Sequence, residues 1–105
     1  MKLLIIGSRT ITNFDLTGHV PEETSLIISG GAKGVDTIAE QYADSHGIEK
    51  LIIKPQYEKF GRAAPIKRNE EMVELADTVL AIWGRQVERN KIYRRLCSEK
   101  RQKDN

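Results

Sequence analysis

The sequence predicts an α/β fold with a mostly parallel four-stranded sheet, and three observations carry that expectation. The apolar runs are short and nearly continuous, as in strands buried on both faces of a parallel sheet. Between two of them lies a stretch with helical spacing, and a second precedes the last run. The polar, glycine-rich clusters fall where strands end, which is where open α/β sheets bind ligands.

Taken in order, residues 2–6 form the first strand, closing in Gly7, Ser8 and Arg9. A strand end carrying a glycine, a hydroxyl and an arginine suits an anion, and equally suits an exposed loop. Residues 13–19 are expected to form a short helix capped by Asn13. The second strand spans 25–29. It opens into Ser29-Gly30-Gly31-Ala32-Lys33-Gly34-Val35-Asp36, the densest chemical signal in the chain. Glycines at 30, 31 and 34 allow backbone N–H groups to approach a phosphate. The helix N-terminus that follows adds partial positive charge, and Lys33 a full one. The competing reading is a tight strand-to-helix turn that needs glycine for geometry alone. The turn matches neither a Walker loop nor G-x-G-x-x-G, so it does not name a ligand. Asp36 fits a stabilising first-turn carboxylate as well as a contact to a ribose hydroxyl or a metal.

Val35, Ile38, Ala39, Tyr42 and Ala43 form the apolar stripe of the first helix, which Gly47 stops. Residues 51–54 are the third strand. The loop over 56–64 holds Tyr57, Phe60, Gly61 and Arg62, which could stack on a base or pack over the sheet end. Pro65 opens a helix running to residue 76, with Ile66, Met72, Val73 and Ala76 as core positions and Arg68 and Asn69 as its polar candidates. The fourth strand spans 78–83.

One domain of this length can bury a single small core. No apolar run approaches membrane-spanning length. The lone Cys97 allows neither an internal disulfide nor a cysteine metal cluster, so a cytoplasmic location is expected, with no metal and no cofactor. Residues 85–105 hold eight Lys/Arg against three Asp/Glu, and the preceding 84 residues hold nine against twelve. The basic balance therefore belongs to the tail. With Tyr93 its only aromatic, the tail has no stacking pattern, and nucleic acid is not the expected partner.

Taken together, Gly7-Ser8-Arg9, the 29–36 turn, and Gly61-Arg62-Ala63-Ala64-Pro65-Ile66-Lys67-Arg68-Asn69 through Leu75-Ala76-Asp77 resemble the YspA-type branch of the SLOG superfamily. That superfamily also holds the Lonely-Guy phosphoribohydrolases and DprA/Smf. The resemblance covers residues 1–83. It implies a Rossmann-like three-layer sandwich whose sheet ends bind a nucleotide or nucleotide-derived ligand, NAD- or ADP-ribose-like, in stress or phage-conflict signalling. It carries over Gly7, Ser8 and Arg68 as binding residues. These join Arg9, Ser29, Gly30, Gly31, Lys33, Gly34, Asp36, Arg62 and Asn69, the ligand- and phosphate-binding candidates read from the strand ends, the glycine turn, the loop and the last helix. Arg68 stands nine residues before Asp77, as a Lonely-Guy arginine does before its aspartate, and a guanidinium there can pair bidentately with phosphate. The Lonely-Guy Pro-Gly-Gly-x-Gly-Thr loop and its glutamate are missing, so no catalytic residue is carried over. A nucleotide N-glycosidic hydrolase and a DprA-type DNA-binding module are the alternatives.

After Trp83 the branch carries Asp-Gly-x-Ser-x-Gly-Thr, and this chain does not. Codons for residues 84–100 can be chosen so that dropping one nucleotide yields Asp-Gly-Lys-Ser-Arg-Gly-Thr and an amphipathic helix. Residues 84–105 thus read as a frameshifted tail, the alternative being a genuinely divergent one; either way the tail is basic and helical or disordered. Without the branch's covering helix, apolar surface is left open, and self-association is expected.

Overall fold

The structure is a computed structural model that describes residues 1–83 and 86–91. Its elements are β1 (Lys2–Gly7), β2 (Leu26–Ser29), α1 (Val35–Ser45), β3 (Glu49–Ile52), α2 (Tyr57–Phe60), a single 3-10 turn (Gly61–Ala63), α3 (Ala64–Leu75), β4 (Thr78–Trp83) and β5 (Gln86–Lys91). The sheet order is β3-β2-β1-β4-β5. β1 pairs in parallel with β2 and β4, and β2 with β3, while β5 runs antiparallel to β4. The expected α/β, mostly parallel sheet is therefore present.

Strand alternation sends successive side chains to opposite faces. Leu3 and Ile5 of β1, Ile27 of β2, and Leu80 and Ile82 of β4 pack with Val35, Ile38, Ala39 and Ala43 of α1. Leu4 and Ile28 point the other way and pack with Met72 of α3 and with Ala76 beyond it. Each face of the sheet thus carries one long helix. The chain moves outward from β1 through β2 to β3, then returns across β1 to β4. The connections leave in opposite directions at β1 and β4, so their C-terminal ends frame a crevice.

Several expectations need correction. The sheet has five strands rather than four, because residues 86–91 pair with β4 instead of forming a helix or remaining disordered. Without β5, β4 would present a row of unpaired N–H and C=O groups, and an antiparallel partner can follow it directly in sequence. The rest of the tail expected to be helical or disordered, residues 84–85 and 92–105, lies outside the described residues. Residues 13–19 form no helix. The Asp15 carboxylate accepts from the Thr17 N–H at 2.9 Å, and Ile11, Phe14, Leu16 and Val20 turn into the α1-side core. That burial and the local side-chain turn outweigh the cap at Asn13. β3 begins two residues early, at Glu49: an outer strand needs backbone partners more than an apolar run, and Glu49 and Lys50 find theirs opposite Leu26 and Ile27. The loop over 56–64 contains α2 and the 3-10 turn. Ile66 and Val73 are exposed on α3 rather than core, because the helix meets the sheet through Ala64, Met72 and the Ala76 end.

Candidate functional site

The end of β1 is held from two sides. The Ser8 N–H donates to the Ile82 carbonyl at 3.2 Å, and the Val35 N–H donates to the Ser8 carbonyl at 3.1 Å. This brings the β1 turn, the end of β4 and the start of α1 together. The approach requires glycine at two places. A Cβ on Gly7 would run into the Ile82 carbonyl oxygen and come within 2.7 Å of Val35 Cγ2. A Cβ on Gly34, whose φ is +78°, would strike the Ser8 carbonyl and the Arg9 backbone.

Beside this junction, at the C-terminal ends of β1 and β4, lies a cleft of about 420 Å³. Arg9, Asp36, Arg68 and Asn69 supply its polar lining, and Leu4, Ile6, Met72, Val73, Val79 and Trp83 its apolar lining. Each polar group comes from a different place: Arg9 from the loop after β1, Asp36 from the first turn of α1, Arg68 and Asn69 from α3. Arg68 also ties α3 to the sheet. Its Nη1 donates to the Gly30 carbonyl at 3.0 Å and to the Ile53 carbonyl at 3.4 Å, and its Nε donates to Asn69 Oδ1 at 2.9 Å. Nη2 takes no part in these bonds. Gly30 lies directly under the guanidinium, where a Cβ would come within 2.5 Å of Nη1.

The glycine turn is built differently from an open anion cradle. The Ala32 N–H donates to Asp36 Oδ2 at 3.1 Å, and the Gly31 N–H donates to Ser29 Oγ at 3.3 Å. With Val35 bonded to Ser8, three of the turn's amides already have acceptors within the chain. The Lys33 and Gly34 amides are not among them. Burial pushes the Asp36 carboxyl above its usual range, against the opposing pull of the Ala32 N–H, Arg68 and Arg9.

The structure brings Gly7, Arg9, Asp36, Arg68 and Asn69 to one cleft. Gly30 and Gly34 stand behind it as close-approach positions, and Ser29 and Gly31 brace the turn. Ser8 spends its hydroxyl locally, 2.7 Å from Thr10 Oγ1, while accepting from the Thr10 N–H at 3.1 Å. Lys33 and Arg62 are exposed and do not line the cleft. Tyr57 and Phe60 are exposed on α2 and do not line it either. Sequence reasoning missed Trp83, Ile6 and Val79 as lining residues, having placed them in strands, and took Val73 for core. The signal available was positional: Trp83 is a large aromatic at the last position of a strand whose C-terminal end faces the crevice.

Among the described residues, no group of three or more His, Cys, Asp or Glu side chains is placed to hold a metal ion, and no helix is long and apolar enough to cross a membrane. No family model, no curated protein and no solved structure matches the chain.

Proposed function

We propose that the chain binds a nucleotide or nucleotide-derived ligand in the crevice between the ends of β1 and β4. The observation that carries this reading is the convergence of two arginines and a carboxylate, from three separate segments, on one cleft at the point where strand connections diverge. Arg9 and the unbonded edge of the Arg68 guanidinium take the phosphate. Asp36 and Asn69 take sugar hydroxyls, for which an acceptor beside a buried turn is well suited. Glycines 7, 30 and 34 let backbone and arginine approach closely. Lys33 adds charge beside the turn. The strand order 3-2-1-4-5, with a helix on each face, supports reading the domain as a Rossmann-like three-layer sandwich of the SLOG kind.

Thermal unfolding in the presence of AMP, ADP-ribose or NAD tests this reading. A ligand that binds only the folded chain stabilises it by about 2.7 kcal/mol at a hundred times its Kd. At least one of the three raises Tm in a saturable way, and Arg9→Ala abolishes most of that rise while leaving the unliganded Tm unchanged, since Arg9 is exposed. A panel with no stabilising nucleotide, or a response indifferent to Arg9→Ala, overturns it.

A further inference from the structure

The cleft has two chemically distinct linings, and the apolar one ends in Trp83. This residue is the sole tryptophan of the chain, and half of its surface is exposed. Strand alternation places it on the same face of β4 as Val79, towards α3. Val73, also exposed, and Met72 complete the lining from the helix. A tryptophan left half in water at the mouth of a cleft forgoes hydrophobic stabilisation that burial would give. The aromatics that the sequence offered for stacking, Tyr57 and Phe60, do not line this cleft.

We infer that Trp83 is the platform on which the heterocyclic base of a mononucleotide stacks, with the sugar and phosphate turned towards Asp36, Asn69 and Arg9. The inference rests on the nucleotide reading of the same cleft and adds the orientation and size class of the ligand. An occupant with one flat apolar end and one polar anionic end matches the two linings, and a nucleoside monophosphate has that division. The volume of about 420 Å³ sits at the small end of ligand sites, which favours one nucleoside over a dinucleotide.

Because Trp83 is the only tryptophan, its emission reports on the cleft directly. AMP quenches it saturably. Ribose 5-phosphate, which has the polar end alone, leaves emission unchanged and binds on the order of tenfold more weakly by calorimetry. Trp83→Phe keeps AMP affinity within a few-fold. Trp83→Leu, which keeps apolar bulk but no ring, loses it on the order of tenfold, with ribose 5-phosphate affinity unmoved and circular dichroism confirming the fold. AMP binding without a change in emission, or a Trp83→Leu chain that binds AMP as the parent does, overturns the stacking platform and leaves the nucleotide reading standing. Stabilisation by ADP-ribose or NAD with no AMP binding does the same. Calorimetry and thermal unfolding that find no nucleotide bound overturn both.

Discussion

The two faces of the sheet are covered to different depths. On one, α1 buries Val35, Ile38, Ala39 and Ala43, and the irregular segment after β1 adds Leu16 and the partly buried Ile11, Phe14 and Val20. On the other, α3 buries Ala64 and Met72 and leaves Ile66 and Val73 exposed, 62% and 37% respectively. The same sheet therefore has a closed side that supplies most of the core and an open side that supplies the cleft. A site needs a place where side chains are held without being fully packed, and the shallow seat of α3 provides it. Arg68 lies where the two requirements meet. It fixes α3 to the ends of β2 and β3 through carbonyl bonds and still presents an edge to the cleft.

Truncation should separate the two faces most strongly. Ile5 is fully buried on the α1 side, so Ile5→Ala is expected to cost about 3 kcal/mol in urea unfolding. Val73→Ala on the open side should cost less than about 1 kcal/mol, because little surface is removed from contact. Equal losses would break the comparison. Arg68→Ala comes next. It leaves the buried Gly30 carbonyl without its guanidinium donor and should cost about 2 kcal/mol, more than an exposed arginine would. Arg68→Lys should recover little of this, since one ammonium cannot reproduce the set of guanidinium bonds to Gly30, Ile53 and Asn69. A loss within about 0.5 kcal/mol would detach Arg68 from the anchoring role.

The smallest effect is a pH dependence. Burial raises the Asp36 carboxyl in the folded chain, so between the unfolded and folded values the folded state holds the proton more tightly. Stability is then lost as pH rises through that window. Asp36→Asn, which keeps an acceptor for the Ala32 N–H, should be at least as stable as the parent at neutral pH, and this advantage should shrink as pH falls through the window between the raised folded value and that of an ordinary carboxylate, levelling off below it. An advantage that grows on acidification would reverse the sign and show that Asp36 is held low by its neighbours instead.

The fold was largely legible because its signals are local and repeated. The continuous apolar runs at β1, β2 and β4, the stripe of α1 and the stop at Gly47, whose φ is +66°, all express preferences that short segments already hold. β5 and the segment over 11–20 were not legible. One is recruited by the open edge of β4, and the other turns its apolar residues into a core assembled from distant strands. Neither cause is visible within a window of a few residues.

The site divides in the same way. The sequence by itself determined the chemistry available at the strand ends: glycines at 7, 30 and 34, arginines at 9 and 68, a carboxylate at 36. Composition and backbone preference suffice for that. Only the tertiary structure decided which of these groups meet. It turned the amides of the 29–36 turn inward onto Ser29, Asp36 and Ser8, left Lys33 and Arg62 outside the cleft, and brought Trp83 in from the end of β4. Hydrogen bonds are satisfied by whatever acceptor the fold brings within reach. An arginine can anchor a helix and a tryptophan can line a cleft only once strands far apart in sequence lie side by side.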